Sequence, residues 1–522
     1  MQRSHWILLG SLLFVVALVA SLMQNGRTRI RPTSSTSAGT SGTTGSDDTA
    51  GDNQPVMLYC AASNRGAMEA IRVEYLRECG RHVDIQYGPS QTLLSSIEVS
   101  GTGDLYLPAD DSFIELARDK QLIAETLPLA SMQAVVAVLS DNPKGISTFQ
   151  DLLKPDMRLV QASPESAAIG KVAREVLTAQ GLWESLSKAT AAYRITVNEA
   201  ANDVVVGAAD AAVVYDAILH TYPKLTAVKM PEFDKGVSRV TLAVVKGSKR
   251  PEAALHFARY VAARDRGLKH YAQHGFSVTT GDLWSDQPEL SVFAGSMLRP
   301  VIEETITAFE AREGVRVSRV YNGCGILVAQ MKAGQHPDIY FACDKEFMKS
   351  VPDLFPQSTD VSQNELVILV QKGNPHKVRT LRDLGREGLR VGIGHEKQCA
   401  MGWLTQNTLR EGGIQTEVMA NVTVQTPTGD MLVNQLRAGG LDAAVVYLSN
   451  AAGSSAQLDA IQIKGLECAI ATQPFGIAVN SPNAQLAQRL FERIQSTESK
   501  RTFMAEGFKW SADLSVAGEH DR

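Results

Sequence analysis

Two serines and a tyrosine carry the first chemical suggestion. Ser63 follows a short apolar run and precedes a helix-period segment, and Ser90 sits in Tyr87-Gly-Pro-Ser90-Gln-Thr92, again at such a junction. A hydroxyl there stands beside the unpaired N–H groups and positive dipole end of a helix, a place suited to small anions. One serine before a helix is most simply a cap; two in comparable places point toward a ligand. Tyr215 closes the run Asp210-Ala-Ala-Val-Val-Tyr215, and a phenol at a strand's carboxyl end faces a crevice. All three are neutral donors, so the chemistry on offer is recognition of an anion without a countercharge. No nucleophile, base and orienter share a recognisable spacing, Gly-rich phosphate signatures are absent, and the ten histidines are scattered. The chain reads as a binding protein and not as an enzyme.

The same residues recur. DAAVVY stands at Asp210–Tyr215 and again at Asp442–Tyr447, 232 residues on. Asn142-Pro143 and Asn374-Pro375, Asp151-Leu152 and Asp383-Leu384, and Gly275-Phe276 and Gly507-Phe508 keep that spacing. Asp104-Leu-Tyr-Leu-Pro-Ala-Asp110 pairs with Asp338-Ile-Tyr-Phe-Ala-Cys-Asp344 at 234, and Ser63 is matched with Ser296 at 233. A period this long means tandem domains, since solenoid repeats run to about 20–50 residues. The second copy thus offers Ser296 and Tyr447, with Tyr321-Asn-Gly-Cys324-Gly325 where the first has Ser90.

Within each copy, apolar runs alternate with helix-period segments. The first has strands expected at Met57–Ala61, Val83–Tyr87, Asp104–Leu107, Ala134–Leu139, Leu159–Gln161 and Ala211–Val214, with helices at Ala67–Leu76, from about Thr92, and at Asp111–Lys120. The second repeats the order at Leu290–Ala294, Val315–Tyr321, Asp338–Ala342, Glu365–Gln371, Leu389–Gly392 and Ala443–Val446. Alternation of this kind predicts an α/β fold with a mostly parallel sheet and ligands at the strands' carboxyl ends.

At Ala61-Ala-Ser63-Asn, Ser90-Gln-Thr-Leu93, Asp104–Asp110, Pro164-Glu165, Asp210–Tyr215 and Tyr271-Ala-Gln-His-Gly-Phe276 the chain resembles the molybdate-binding periplasmic proteins of ABC transporters. The resemblance covers both copies. It implies tandem type II periplasmic-binding-protein domains, each with two doubly wound α/β lobes joined by crossover strands, here Met132–Leu139 and Val240–Val245 in the first copy. It implies an oxyanion held between lobes by Ser63, Ser90, the backbone near Ile169 and Val197, and Tyr215. In the second copy the matching places are Ser296, Cys324 or Gly325, the backbone near Met401 and Gly429, and Tyr447. The implied function is an extracytoplasmic solute-binding protein for a molybdate- or tungstate-like oxyanion, feeding an ABC transporter permease, with no cofactor. A membrane-tethered sensor or scaffold with a divergent ligand or none is the alternative. Replacement of the second serine cluster by Gly-Cys-Gly predicts that the two copies differ in ligand, the second being either weaker for the same oxyanion or specific for another species.

The 522 residues suit several domains, and Lys+Arg 51 against Asp+Glu 56 gives no basic field for nucleic acid. The eighteen uncharged residues Trp6–Met23, flanked by Arg3 and by Arg27, Arg29 and Arg31, read as a signal peptide or a signal anchor over 1–31. Either places the protein in the periplasm or otherwise outside the cytoplasm. Residues 32–55 are Ser/Thr/Gly-rich and are expected to form a disordered linker. The remaining expected boundaries are 56–281 for the first domain, 282–289 for a linker, 290–511 for the second domain and 512–522 for a tail. None of the six cysteines has a zinc spacing. Cys60 and Cys79 should lie too far apart to pair, with a helix between them. Cys324, Cys343 and Cys399 all map near strand ends facing the crevice, where buried small residues, a disulfide and a soft metal site remain open readings.

Overall fold

The computed structural model describes residues 54–511. The expected signal peptide or anchor over 1–31, the expected linker up to residue 53, and the expected tail from 512 lie outside the described residues.

Two sheets of ten strands form, one from each copy, and no strand of one pairs with a strand of the other among the described residues. In the first copy, β1 (Val56–Ala61) is flanked by β2 (Val83–Gly88) and β3 (Leu105–Leu107), all parallel. Two long strands follow in the sheet: β4 (Ile123–Leu139) and β9 (Val237–Val245), antiparallel to each other. On their far side β7 (Ala211–Tyr215) runs antiparallel to the second half of β4 and parallel to β5 (Leu159–Ala162), which is itself parallel to β6 (Thr190–Arg194). β8 (Leu225–Val228) and β10 (Ser277–Val278) complete the sheet beside β4. β4 and β9 therefore cross between a first lobe (β1–β3) and a second lobe (β5–β7).

The second copy repeats this with β11 (Glu289–Gly295), β12 (Arg316–Asn322), β13 (Ile339–Phe341), β14 (Thr359–Gln371), β15 (Val391–Gly394), β16 (Val422–Thr426), β17 (Ala443–Tyr447), β18 (Leu458–Gln462), β19 (Ile470–Ile477) and β20 (Lys509–Trp510). The crossover strands expected at Met132–Leu139 and Val240–Val245 are segments of β4 and β9. The expectation of a mostly parallel sheet is corrected: both sheets are mixed, because each crossover strand pairs antiparallel with its neighbours.

Apolar burial follows the same division. One core gathers residues from Val56 to Phe276, and two more gather residues from Leu290 onward. The copies meet through their first lobes. Helix Pro251–Ala262 packs on helix Arg299–Glu313. The Glu313 carboxylate, 1% exposed, accepts from Arg489 at 2.7 and 3.0 Å and from Arg259 at 3.4 Å. Arg312 pairs with Glu125, at 2.9 Å for its Nη2, and Asp282 accepts the N–H groups of Gln485 (2.8 Å) and Leu486 (2.9 Å) at the start of helix Ala484–Ile494. Asp282 to Glu289 is thus no free tether. Asp282 is held by the second copy, and Glu289 already belongs to β11.

Candidate functional site

Four helix starts converge between the lobes of the first copy. β1 ends at Ala61, and one 3-10 turn, Ala62–Asn64, leads into α1 (Arg65–Cys79). β2 ends at Gly88, and Pro89, extended at φ −67° and lacking an N–H, sets the start of α2 (Ser90–Ser100). From the other lobe come α3 (Ala168–Thr178), entered through extended Ala167, and α4 (Val197–Val205), entered through Thr196. First-turn N–H groups have no acceptor within their own helix, so all four termini aim donors and positive dipole ends at the space between.

That space is a small cavity of about 20 Å³ lined by Ser63, Ser90, Ile169, Val197, Tyr215 and their neighbours. A cavity of that size admits a small occupant and excludes an extended ligand. Among the described residues lining it, none is charged. The structure thus brings together all five residues singled out in the first copy.

Their donors are disposed unequally. Ser63 Oγ is buried and has no hydrogen-bond partner among the described residues. Ser90 Oγ accepts the Ala109 N–H at 3.1 Å, which leaves its own proton free, and the Tyr106 hydroxyl holds the Ser90 carbonyl at 2.9 Å. Tyr215 lies 2.8 Å from Ser238 Oγ. Two hydroxyls carry two protons and their mutual bond uses one, so one remains. Burial holds the Tyr215 phenol well above its ordinary pKa, so it stays protonated. The lobes touch across the cavity, with the Gln91 N–H donating to the Ser166 carbonyl at 3.2 Å. A Cβ at Gly170 would stand 2.3 Å from the Ala162 carbonyl oxygen, so glycine lets α3 begin against the end of β5.

Thr196 was not among the expected residues, yet it lines the cavity. Its Oγ1 accepts the Glu199 N–H at 3.2 Å while the Glu199 carboxylate accepts the Ile195 N–H at 3.1 Å. Thr196-Val-Asn-Glu199 is a readable capping signature, and it could have marked this helix start.

The second copy corrects one correspondence. Leu58 pairs with Leu105 where Val292 pairs with Ile339, and the 3-10 turns begin at Ala62 and Ser296, so the spacing here is 234. Ser296 therefore stands opposite Ala62, and Met297, 4% exposed, takes the place of Ser63. The single-residue match of Ser63 with Ser296 at 233 was a slip of register. Cys324 does occupy the Ser90 position: the Cys343 N–H donates to Cys324 Sγ at 3.1 Å as the Ala109 N–H does to Ser90. The Gly325 N–H is engaged by the Gln398 carbonyl at 3.1 Å, the counterpart of the Gln91–Ser166 contact.

Tyr447 hydroxyl is buried with no partner among the described residues. The ladder partner Met132↔Ser238 becomes Asn364↔Ala471, which removes the serine hydroxyl. Met401 is buried, and a Cβ at Gly429 would stand 2.3 Å from Asn450 Oδ1, so that amide covers this helix start. Among the described residues all six cysteines are free thiols. Burial pushes Cys324 up, but hydrogen bonds from the Cys343 thiol and N–H outweigh it and hold Cys324 below the ordinary range. The bond to Cys324, then burial, pushes Cys343 up, and burial pushes Cys399 up to about 12.

A family model described as bacterial extracellular solute-binding protein matches residues 56–277 and again 290–509. The molybdate-binding protein ModA of Mycobacterium tuberculosis H37Rv is 28% identical over 277 residues, covering 52% of this chain and 99% of that protein. ModA of Escherichia coli K12 is 28% identical over 237 residues, 40% of this chain and 89% of the relative. Among solved structures, the periplasmic molybdate-binding protein of Azotobacter vinelandii is 17% identical, covering 43% of this chain and all of that chain (100%), with a TM-score of 0.37.

Proposed function

The chain belongs to the bacterial extracellular solute-binding protein family, carried as two tandem copies, and from this we propose that its first domain captures a tetrahedral oxyanion of the molybdate or tungstate kind. Closure of the two lobes on that ion presents it to the permease of an ABC transporter in the extracytoplasmic space. Relatives named as molybdate-binding proteins support the ligand class.

One observation carries the reading: a buried hydroxyl without a partner, Ser63 Oγ, aims into a charge-free cavity under four helix starts. A buried polar group left unpaired costs about 1–3 kcal/mol, which a ligand oxygen would recover. Helix ends and neutral donors can hold a dianion in a water-poor cavity, where each bond is stronger than in solvent. The lining offers donors and no carboxylate, which disfavours an ion still carrying a proton, such as hydrogen phosphate.

The test is calorimetry and thermal denaturation of the full chain with molybdate, tungstate, sulfate and phosphate. A true ligand at 100 times its Kd should add about 2.7 kcal/mol to the stability of the domain that binds it. A flat response to all four would overturn the reading.

A further inference from the structure

The second cleft is rich in sulfur at the positions that line the first. Ser63, Ser90, Ala109, Ala167 and Ile169 line the first cavity. At spacings of 234 in the first lobe and 232 in the second, their counterparts are Met297, Cys324, Cys343, Cys399 and Met401. The chain has only 6 Cys and 14 Met in 522 residues, so thirteen lining positions would carry about half of one by chance.

Geometry draws two of these sulfurs together. A Cβ at Gly295 would lie 1.9 Å from Cys343 Sγ and 3.2 Å from Cys324 Sγ, so the sulfurs are separated by no more than those two distances combined. The first copy has Ala61 at the Gly295 position, and loss of that methyl is what makes room for the Cys343 thiol. A soft ion bridging two thiolates at roughly 2.3 Å from each spans a separation within that limit. Cys324 opens α5 (Cys324–Lys332), and Cys399 precedes α6 (Ala400–Glu411) on the opposite lobe, next to Gln398, whose carbonyl holds the Gly325 N–H. Cys324, Cys343 and Cys399 are 0%, 6% and 6% exposed.

We propose that the second domain binds a soft monovalent metal ion of the copper(I) or silver(I) kind between the Cys324 and Cys343 thiolates, with Cys399 closing over the pair from the other lobe. Thiolate and thioether sulfur selects such ions over harder ones. Two thiolates and one monovalent cation leave a net charge of minus one, which helix N-termini favour for the same reason that they favour an oxyanion. Tetrahedral zinc would need four ligands, whereas only the Cys324 and Cys343 thiolates are placed to ligate; among the described residues no three His, Cys, Asp or Glu side chains form a metal-holding group, so Cys399 covers the ion without being a ligand. Binding exchanges two S–H bonds for two metal–sulfur bonds and releases two protons to solvent, or one where Cys324 is already ionised. No electrons move.

The inference uses the first cavity only to identify which positions face the cleft, so it stands or falls apart from the oxyanion reading. The experiment titrates the reduced full-length chain with silver(I), which needs no reductant. Near-ultraviolet thiolate-to-metal absorption, proton release and ion stoichiometry by intact mass are followed. Copper(I) is then added in competition with a chromogenic chelator. One tightly held ion per chain is expected. The double variant Cys324→Ser, Cys343→Ala installs the pair that the first copy carries at Ser90 and Ala109, and it should bind at least about a hundredfold more weakly while keeping the wild-type fold and oxyanion response. Cys60→Ser, Cys79→Ser and Cys468→Ser should leave the ion in place. No ion on the reduced wild type, or an ion retained by the double variant, overturns the proposal. Recovery of Cys324 and Cys343 as a disulfide from protein isolated without reductant from the extracytoplasmic space would also overturn it.

Discussion

Replacing Ser63 by alanine separates a ligand-facing hydroxyl from a structural one. Ser63 Oγ is buried and unpartnered among the described residues, and Ser63 itself is 7% exposed. Removing it breaks no internal bond, so ligand-free Ser63→Ala should be as stable as the wild type or more so, by up to about 1–3 kcal/mol, the cost of an unpaired buried hydroxyl. Oxyanion affinity should move the other way. A hydrogen bond to a charged group contributes roughly 1.5–3 kcal/mol, which at about 1.4 kcal/mol per decade is a Kd weakened some 10- to 150-fold. Calorimetry gives the affinity, and denaturant unfolding of ligand-free protein gives the stability. Unchanged affinity would remove Ser63 from the site. Loss of more than about 1 kcal/mol from the ligand-free protein would show that the hydroxyl works inside the fold.

Three further outcomes follow from the same geometry. Tyr215→Phe strands Ser238 Oγ, so calorimetry and unfolding together should show weaker oxyanion binding and a ligand-free protein less stable by about 1–3 kcal/mol; adding Ser238→Ala should restore the stability and not the affinity. Glu313→Ala leaves the buried guanidinium groups of Arg259 and Arg489 unpaired and should cost about 3–5 kcal/mol by denaturant unfolding. Despite burial, Arg489 and Arg259 hold the Glu313 carboxyl below its ordinary pKa. Its contribution is therefore present above the ordinary carboxylate range and lost as pH falls through the lowered value, a slope that Glu313→Gln should flatten. Burial lowers His256 to about 4, so the unfolded chain takes up its proton first; stability should rise between about pH 4 and 6.5 in a thermal-melt series, and His256→Gln should reduce that rise.

Much of the architecture was legible because it is written locally. Alternating strand and helix patterns, and a repeat that holds for hundreds of residues, need no knowledge of pairing. Direction of pairing is different. β4 and β9 look from their sequences like any apolar strands, and only contacts between residues far apart in the chain, such as Met132 with Ser238, make the sheets mixed. The candidate site was legible where a whole motif carried it, as at Ser90 and Tyr215. A single identical residue does not fix register: Ser63 and Ser296 are both serines, but the β-ladder puts Met297 opposite Ser63. Thr196 lies outside the motifs that point to the site. Its signature lies in the sequence, but nothing there says that the capped helix ends on the cavity.

The buried Glu313–Arg259–Arg489 cluster joins the first lobe of one copy to the first lobe of the other, and among the described residues no second-lobe residue takes part in it. Those two lobes form a common chassis, and each second lobe is joined to it by its own pair of crossover strands, β4 and β9 in one copy and β14 and β19 in the other. Opening one jaw need not disturb the other. If both clefts close on their proposed ligands, the molecule would present four faces to the proposed transporter, according to which cleft is shut, and a transporter contacting both domains would read the two ligands jointly.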